Sequence, residues 1–293
     1  MDDFKSGFIS IIGKPNAGKS TLMNALVGEK LSIITAKAQT TRHRIFGILN
    51  GDHYQLVYSD TPGIIDPQYS LQESMMNYVM QSLQDADLIL WVVELGEKFD
   101  HAEILQRIKF ANVPIILVVN KIDLGKGSQV EDKMTYWRET VDVEEIIAVS
   151  ALERENVDDL FDRILAHTPV HPPYYPTDSL TDKPERFFAS EIVREKIFLN
   201  YKKEVPYSTE VVITEFKEEE KIIRMRAELY VERDSQKGII IGHKGESLKK
   251  VGVEARKDLE DFFQKQVHLE TFVKVSKDWR KKEQSLRRFG YKN

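Results

Sequence analysis

The chain has 293 residues, of which 41% are hydrophobic and 30% charged, a composition typical of globular proteins and long enough for two domains. It contains no cysteine, which excludes disulfides and thiolate zinc sites, and no apolar run approaches the roughly 18 residues of a membrane span. The net charge of −5 hides an asymmetry, because residues 185–293 carry +5 and residues 1–184 carry −10. The N-terminus (Met1–Lys5) lacks a signal-peptide pattern, so we expect a cytoplasmic protein.

The first predicted element is a strand that leads into a phosphate-binding loop. Phe8–Ile12 is an apolar run of strand type, and residues 22–26 have helical spacing with Gly28 as the predicted stop. Between them lies the motif G-x-x-x-x-G-K-S, in which backbone N–H groups and a helix N-terminus hold nucleotide phosphates. We expect Lys19 to reach the terminal phosphates and Ser20 to coordinate Mg²⁺. Phosphate binding is assigned to Gly13, Lys14, Pro15, Asn16, Ala17, Gly18, Lys19, Ser20 and Thr21.

The segment Lys37–Arg42 is predicted to be a switch. A GTPase needs a threonine hydroxyl here that completes the Mg²⁺ shell only while the γ-phosphate is present, and this conditional contact defines a switch. The sequence offers Thr40 and Thr41; we favour Thr41, and the sequence alone does not decide between them. Arg44–Leu49 follows as a predicted edge strand.

The next motif follows the predicted strand Tyr54–Ser59. We expect Asp60 to hold the Mg²⁺ shell through water and the Gly63 N–H to meet the γ-phosphate. The switch and Mg²⁺ contacts are therefore assigned to Ser20, Thr41, Thr40, Asp60, Thr61, Pro62 and Gly63, with Ser20 and Thr41 as direct Mg²⁺ ligands.

One residue of this motif departs from the Ras-type pattern. Ile64 stands where Ras-type enzymes have a glutamine that orients the attacking water. Because isoleucine cannot hydrogen-bond that water, we expect slow intrinsic hydrolysis unless another group does this work. Asn16 is a candidate, because its side-chain oxygen could help to hold a K⁺ ion against the phosphates. The alternative is that Asn16 is an ordinary polar residue of the loop.

Two further motifs predict a guanine site. The predicted strand Pro114–Val119 precedes Asn120-Lys121-Ile122-Asp123, about one hundred residues after the phosphate loop. A carboxylate at Asp123 accepts from the N1–H and N2 amino groups of guanine, whereas adenine would leave it unpaired, a selectivity of roughly 10³-fold or more. A second predicted strand, Glu145–Val149, precedes a turn whose backbone N–H would meet the guanine O6. These motifs all follow strands, where open α/β sheets bind ligands. Guanine binding is assigned to Asn120, Lys121, Asp123, Ser150, Ala151 and Leu152.

A proline-rich segment separates two predicted domains. Val157–His167 has a helical pattern that should close the first domain, and Pro169–Asp178 can neither continue a helix nor enter a central strand. We predict a GTPase domain over residues 1–170, a semi-rigid linker over 171–184 and a second domain over 185–293.

The second domain has the element order of a type II KH domain. A helical pattern over residues 187–201 precedes the predicted strands Val211–Phe216 and Ile222–Val231, joined by a charged turn. Gln236–Ile241 then leads into Gly242-His243-Lys244-Gly245, a helix with apolar positions from 248 to 263, and the strand Leu269–Val275. The order helix–strand–strand–helix–GxxG–helix–strand predicts RNA binding, in which the loop clamps the backbone of a short single strand. Alone, GxxG would indicate only a helix–helix turn.

The RNA contacts are assigned to apolar groove residues and to the loop itself. Ile240 and Ile241 are expected to face the bases, while the glycines let phosphates approach and the two residues between them supply donors and charge. The set is Ile240, Ile241, Gly242, His243, Lys244 and Gly245. The tail Lys277–Lys292 has seven basic and two acidic residues; it either extends the RNA surface, touches anionic lipid, or is a solvated terminal helix.

The pairing of these motifs resembles the Era family of GTPases. The resemblance rests on Asp60–Gly63, on the switch Lys37–Arg42 and on the C-terminal type II KH domain, and it covers essentially the whole chain. It implies an α/β P-loop GTPase domain with a mostly parallel sheet, followed by an α+β type II KH domain. It also implies binding to the 3′ end of 16S rRNA in the small subunit, action in 30S ribosomal subunit assembly, and peripheral contact with the inner membrane. Ile64 agrees with that family's lack of the Ras-type glutamine.

The predicted mechanism is a nucleotide-gated RNA clamp that uses GTP or GDP, Mg²⁺ and, if Asn16 serves as proposed, K⁺. GTP and RNA would favour one shared conformation, so each should tighten the other. Two alternatives stay open: a signalling switch whose C-terminal domain binds a protein partner, and a GTP-dependent RNA-modifying enzyme. Against the second, the KH region shows no metal-ligand spacing and the chain has no thiol. A monomer is expected, although no sequence feature determines it.

Overall fold

A computed structural model describes residues 3–99, 105–106, 108–109 and 111–292, so the first two residues of the N-terminus lie outside the described part. The chain divides into two units. The first contains the described residues up to Ser32, Thr41–Asp66 and Met75–Asp182. The second contains Ile33–Thr40, Pro67–Ser74 and the described residues from Lys183 onward. Two short segments of the N-terminal half are therefore part of the second unit.

The first unit is built on a sheet of six strands. These are β1 (Lys5–Gly13), β2 (Ile45–Gly51), β3 (Tyr54–Asp60), β4 (Leu88–Glu94), β5 (Ile115–Asn120) and β6 (Glu145–Ala148). Their order is β2-β3-β1-β4-β5-β6; β2 is antiparallel to β3, and the other neighbouring pairs are parallel. The carboxyl ends of β1, β3, β5 and β6 therefore meet at one edge, which places the predicted motifs together.

Helices of the N-terminal half include α1 (Lys19–Val27), α2 (Ser70–Gln84), α3 (Gly127–Thr140) and α4 (Val157–His167). Every residue of β5 is buried, as expected for a strand of a parallel sheet that is covered on both faces. The core on one side of the sheet includes Trp91 of β4 and Trp137 of α3, whose ring centroids lie 5.7 Å apart. β4 was not predicted, because it is a continuous apolar run that carries no motif.

The predicted linker is pinned to the first unit along β2. Gln55, which is fully buried in β3, accepts hydrogen bonds from the N–H groups of Tyr174 (2.7 Å) and Tyr175 (2.9 Å) and donates to the Tyr175 carbonyl (2.8 Å). Further along, the Ile48 N–H donates to the Leu180 carbonyl at 2.8 Å. Residues 171–182 are thus a structured border of the sheet rather than a tether.

The second unit has a sheet of three strands, β7 (Glu210–Glu218), β8 (Ile222–Val231) and β9 (Gln266–Val275), in that order. β8 is antiparallel to β7 and parallel to β9. The helices are α5 (Glu185–Asn200), the single turn α6 (Val205–Ser208), α7 (Asp234–Ile241), α8 (Glu246–Phe263) and α9 (Glu283–Arg288). The element order agrees with the predicted one.

The core of this unit follows from two sequence periods. Alternate residues of β8, from Ile223 to Val231, are buried on one face, as the two-residue period of a strand requires. Val251, Ala255 and Leu259 recur every four residues on α8 and are almost fully buried against that face. Of the helices that the structure describes, none is both long and apolar enough to cross a membrane.

The C-terminal tail packs into this unit through its aromatic residues. Trp279 is fully buried and its indole N–H donates to the Ser208 carbonyl at 2.8 Å. Tyr291 is 3% exposed and its hydroxyl donates to Glu210 Oε2 at 2.7 Å. The interpretation of the tail as a solvated terminal helix is therefore wrong, because the alternation of basic and aromatic residues gives it a buried face.

Candidate functional site

The phosphate loop joins β1 to α1, and its shape depends on two glycines. Gly13 has φ +151°, and a Cβ there would lie 2.1 Å from the Val92 carbonyl oxygen. Gly18 has φ +91°, and a Cβ there would lie 2.2 Å from Asn120 Nδ2. Both positions exclude a side chain, so the loop packs directly against β4 and Asn120.

Lys19 is almost fully buried at the start of α1. Its ammonium donates to the carbonyls of Lys14 (2.7 Å) and Gly13 (3.2 Å). Burial lowers the pKa of Lys19 to about 8, against the opposing effect of the Asp60 and Glu97 carboxylates. A phosphate anion would stabilise this desolvated cation, which suits the role predicted for Lys19.

Ser20, Thr41 and Asp60 meet at the end of the loop. Ser20 Oγ lies 2.9 Å from Thr41 Oγ1 and donates to Asp60 Oδ2 at 2.7 Å. Ser32 Oγ also donates to Asp60 Oδ2, at 2.8 Å. Ser32 was not predicted from the sequence, because no motif contains it. Asp60 is fully buried, and its second oxygen, Oδ1, has no hydrogen-bond partner among the described residues.

This arrangement fits Mg²⁺. Burial raises the pKa of Asp60 above its ordinary value, despite the hydrogen bonds from three hydroxyls and the charge of Lys19. A buried carboxylate with an unpaired oxygen beside two hydroxyls is the set of oxygen ligands that a hard divalent cation prefers. The site therefore has the ligand chemistry for Mg²⁺, and the charge of Lys19 compensates the buried carboxylate only in part.

The two candidate threonines lie in different units. Thr40 Oγ1 donates to the Lys37 carbonyl at 2.7 Å and lies 2.6 Å from Thr35 Oγ1, all within the second unit. Thr41 belongs to the first unit and lies beside Ser20. The structure thus brings Thr41, and not Thr40, to the other predicted Mg²⁺ contacts.

The turn after β3 lies against the phosphate loop. Thr61 Oγ1 donates to the Ile11 carbonyl at 2.7 Å, and the N–H of Ile64 donates to the Gly13 carbonyl at 3.0 Å. A Cβ on Gly63 would lie 2.4 Å from the Pro15 nitrogen, so this position also requires glycine. The Ile64 side chain packs against the apolar core and offers no group to orient a water molecule.

The base-recognition residues form one connected group. Asn120 Nδ2 donates to the Ala17 carbonyl at 2.9 Å, and Asn120 Oδ1 accepts from the Ala151 N–H at 3.0 Å. Ser150 Oγ donates to Asp123 Oδ1 at 2.5 Å. Asn120 therefore fastens the phosphate loop to the turn after β6, while Ser150 orients the carboxylate that is predicted to read guanine.

Two lysines of these motifs pair with carboxylates that the motifs do not include. Lys121 Nζ lies 2.7 Å from Glu94 Oε1, and Lys14 Nζ lies 3.4 Å from Glu97 Oε1. Leu152 is 71% exposed at the rim of the site. Asn16 has φ +66° at the tip of the loop.

The GxxG loop connects α7 to α8 in the second unit. Gly242 has φ +72°, and a Cβ there would lie 2.2 Å from Ser247 Oγ; Gly245 has φ +83° and open space around it. His243 and Lys244 are exposed. The loop thus presents a donor and a cation at the N-terminus of an 18-residue helix.

One of the predicted RNA contacts is wrong. Ile240 is fully buried in the core, and its carbonyl accepts a hydrogen bond from the Tyr201 hydroxyl at 2.6 Å, so it cannot face a base. Ile241 is partly buried against the same core, whereas Ile239 is 51% exposed. The reason is the orientation of α7: Ile240 lies on the side of this helix that packs against the core, and Ile239, about 100° away around the helix axis, lies on its exposed side.

Comparison with known proteins agrees with both units. Residues 8–121 match the family described as "50S ribosome-binding GTPase", and residues 204–280 match the family described as "KH domain". The chain is 47% identical over 293 residues to GTPase Era of Syntrophus aciditrophicus, covering 98% of this chain and 95% of that one. It is 45% identical to GTPase Era of Geotalea daltonii, covering 98% of each.

Two solved structures are similar over almost the whole chain. One is Aquifex aeolicus Era, in a variant form bound to GDP and AlF4⁻, and the other is Era in complex with MgGDPNP and nucleotides 1506–1542 of 16S ribosomal RNA. Each has a TM-score of 0.95 and 41% identity, and covers 99% of this chain and 100% of that chain.

The fold and the nucleotide site define a P-loop GTPase joined to a KH domain, as the sequence predicted. The chain belongs to the Era family of GTPases. The predictions of GTP binding and GTP hydrolysis are confirmed by this membership.

Proposed function

We propose that this GTPase is a nucleotide-gated RNA clamp that binds the 3′ end of 16S rRNA and acts in assembly of the 30S ribosomal subunit. The observation that carries the proposal is which segments of the chain form the second unit. This unit presents an exposed GxxG loop and also contains Ile33–Thr40, the segment that directly precedes Thr41. The Era relative solved with 16S rRNA nucleotides is 41% identical to this chain, which supports the choice of RNA.

The nucleotide half of the cycle rests on residues of the first unit. Ser20 and Thr41 would hold Mg²⁺ directly, with Asp60 binding its water shell. When bound, the metal would neutralise the phosphates and compensate the buried carboxylate. Asp123 and Asn120 would select guanine, and Lys19 would hold the terminal phosphates. Because Ile64 cannot orient water, the intrinsic rate of hydrolysis is expected to be slow.

The RNA half rests on the GxxG loop. Gly242 and Gly245 would let two phosphates approach the backbone, while His243 and Lys244 supply a donor and a positive charge. Ile239, exposed beside the loop, replaces Ile240 as the apolar contact for a base. The clamp should show strong salt dependence, since phosphate contacts release counterions.

The direct test measures binding of a labelled RNA that matches the 3′ end of 16S rRNA. We compare the wild type with the double variant His243→Asp/Lys244→Asp, each loaded with a GTP analogue. The matched control is Lys217→Asp/Lys221→Asp, near the end of β7 and in the turn to β8, which also replaces two exposed groups by carboxylates. Loss of RNA binding only in the loop variant supports the clamp. An equal loss in both variants would mean that the change in net charge, and not the GxxG loop, weakens RNA binding.

A second candidate function is a switch whose C-terminal domain binds a protein partner. The exposed side chains of the unit, such as Phe272 (46%), favour this candidate only weakly. Partner binding that survives both RNase treatment and the loop variant would support it.

We also propose that K⁺ assists hydrolysis through Asn16. The support for this proposal is the position of Asn16 at the tip of the phosphate loop, where its φ of +66° lies in the left-handed region. Equal rates of GTP hydrolysis in KCl and NaCl would refute this role, and an Asn16→Ala variant should lose any K⁺ dependence.

The working state is proposed to be a cytoplasmic monomer that contacts the inner membrane peripherally. The exposed basic residues of the tail, including Lys281, Lys282 and Arg287, are the candidate contacts with anionic lipid. Cosedimentation with phosphatidylglycerol vesicles should exceed that with phosphatidylcholine vesicles and fall with salt, and sedimentation velocity should give a single species near 33.9 kDa.

A further inference from the structure

The boundary between the two units passes between consecutive residues. Thr40 belongs to the second unit and Thr41 to the first. The hydroxyl of Thr41 lies 2.9 Å from that of Ser20, at the proposed Mg²⁺ site. One peptide bond therefore separates a proposed metal ligand from a segment that belongs to the RNA-binding unit.

The carbonyl of Thr40 is held by a buried arginine of α5. Arg194 Nη2 donates to the Thr40 carbonyl at 2.5 Å, and Arg194 Nε donates to Glu191 Oε1 at 2.7 Å. Arg194 is fully buried, and Glu191 is 5% exposed. Burial alone would lower the pKa of Arg194, but the charge and hydrogen bonds of Glu191 raise it, so the guanidinium stays charged. The acceptor on the segment is a backbone atom, so the contact fixes the path of the chain rather than one side chain.

The same segment is held at a second point on α5. The ammonium of Lys37 donates to the carbonyls of Phe198 and Tyr201, at the C-terminal end of that helix. A cation at this end also interacts favourably with the helix dipole. Because Thr40 Oγ1 donates to the Lys37 carbonyl at 2.7 Å, the two anchors are linked within the segment. Residues 37–40 are thus a closed loop fastened at both ends to α5.

The second unit holds another segment of the N-terminal half in a comparable way. The N–H of Leu71 donates to the Arg280 carbonyl at 3.0 Å, and the Arg280 guanidinium lies 5.0 Å from the ring centroid of Tyr69. Arg280 is itself held by Glu232 at 2.5 Å. Segment 67–74 follows the Asp60–Gly63 turn along the chain, so both regions that would respond to the γ-phosphate are continuous with segments of this unit.

We propose that Arg194 is a positioning residue that transmits the nucleotide state to the RNA-binding unit by holding the backbone of Thr40 on α5. When the γ-phosphate fixes Thr41, the position of Thr40 is fixed as well, and with it the preferred position of α5. This inference rests on the nucleotide gating proposed above and names the residues that carry it. Arg194 is fully buried and bonds the Thr40 carbonyl, so it would act through Thr40 and Thr41.

A conservative substitution separates this role from that of a structural ion pair. Arg194→Lys keeps a cation beside Glu191, but a single ammonium on a shorter side chain cannot reproduce the fork that bonds Glu191 and Thr40 together. Lys37→Met keeps the aliphatic stem and removes only the second anchor. The matched control is Arg256→Lys in α8, because Arg256 Nη1 donates to both carboxylate oxygens of Glu260 at 2.8 Å and, among the described residues, Arg256 has no hydrogen bond to either switch segment.

The measurement is the factor by which RNA tightens binding of a nonhydrolysable GTP analogue. The probe is an oligonucleotide with the sequence of 16S rRNA nucleotides 1506–1542, the RNA of the solved relative. We expect the factor to fall severalfold, close to one, in Arg194→Lys, which loses one charge-assisted hydrogen bond, and to fall by less in Lys37→Met. Affinity for GDP and the melting temperature of Lys37→Met should stay close to wild type, and Arg256→Lys should keep the full factor.

The outcomes distinguish the two proposals. A factor of one in the wild type would contradict the gating itself, and the role of Arg194 with it. A wild-type factor above one that persists in both Arg194→Lys and Lys37→Met would leave the gating intact and refute the role of Arg194. A lower melting temperature of Arg194→Lys with an unchanged factor would reduce the residue to a structural ion pair. Should Arg194→Lys fail to fold, Lys37→Met alone decides.

Discussion

Replacing the carboxylate of Asp60 by an amide is expected to raise the stability of the nucleotide-free protein and to lower the stability that Mg²⁺ and a GTP analogue confer. Asp60 is fully buried, accepts three hydroxyl hydrogen bonds on Oδ2, and has an Oδ1 without a partner among the described residues. Its pKa is raised by burial. The empty protein therefore carries a buried charge that its surroundings do not fully compensate.

The expected magnitude follows from two opposing contributions. Three hydrogen bonds to a charged acceptor weaken by about 1 kcal/mol each when the acceptor becomes neutral. Against this, burial of the charge costs several kcal/mol. Burial raises the pKa of Asp60 even though the three hydroxyls and the charge of Lys19 lower it, which is the direction expected where the cost of burial is the larger contribution. We expect Asp60→Asn to stabilise the nucleotide-free protein by about 1–2 kcal/mol, a rise in melting temperature of roughly 3–6 °C.

The loaded protein should behave in the opposite way. Mg²⁺ and a GTP analogue at 100 times the dissociation constant should stabilise the wild type by about 2.7 kcal/mol. Asp60→Asn should gain little stability from Mg²⁺ and the analogue, because it lacks the negative charge that attracts the metal. The stability order of the two proteins should therefore reverse on loading.

The assay is thermal unfolding of both proteins, with and without Mg²⁺ and analogue. The control is Asp85→Asn, an exposed carboxylate paired with Arg44 at 2.6 Å, which should change either melting temperature by little. Because the raised folded-state pKa of Asp60 means that this group binds more protons in the native state, its contribution to the stability of the nucleotide-free wild type should fall as pH rises above 3.8, so the stability advantage of Asp60→Asn over the wild type should grow. Asp60→Asn should lack that decrease. The reasoning is refuted if the empty variant melts below the wild type, or if it gains as much as the wild type on loading.

Three further predictions concern the base, the RNA loop and the linker. Asp123→Asn should weaken GTP binding by roughly 10³-fold and leave ATP binding unimproved, since the amide cannot accept from both guanine donors. Isothermal titration calorimetry measures both affinities, and an unchanged affinity for GTP would contradict the assignment of Asp123 to the base. Gly242→Ala should abolish binding of the RNA probe while GTP hydrolysis persists, because its Cβ would meet Ser247 Oγ at 2.2 Å. Gly245→Ala has open space around it and should lose less affinity for the RNA. Equal RNA affinities of the two variants would contradict the clamp geometry. Gln55→Ala should lower the free energy of unfolding by about 2–4 kcal/mol, because three backbone groups of the linker lose a buried partner. A urea titration that gives a decrease under about 1 kcal/mol would contradict the structural role of these hydrogen bonds.

The sequence predicts best where a local pattern carries its own boundaries. The helix Val157–His167 and the strand Ile222–Val231 have the predicted bounds, because helical spacing and alternation end at clear polar or proline signals. The phosphate loop and the base motifs meet as expected, since parallel strands deliver their ends to one edge of a sheet.

What the sequence could not predict depends on residues that are distant along the chain. Ser32 bonds Asp60 from outside any motif, and the burial of Ile240 follows from which face of α7 meets the sheet. Residues 33–40 belong to the second unit, where the Thr40 carbonyl is held by Arg194, more than 150 residues away, and the spacing of Arg194 gives no signal of such a partner. Tertiary contacts of this kind leave no periodic trace.

The most direct test of the account is the affinity of the wild type for the 16S rRNA oligonucleotide, measured at one fixed salt concentration with GDP and with a GTP analogue. The account predicts at least about fivefold tighter binding with the analogue, as for an allosteric coupling of ordinary size. Equal affinity in the two nucleotide states would contradict the gated clamp, even if the GTP site and the RNA loop each worked as proposed.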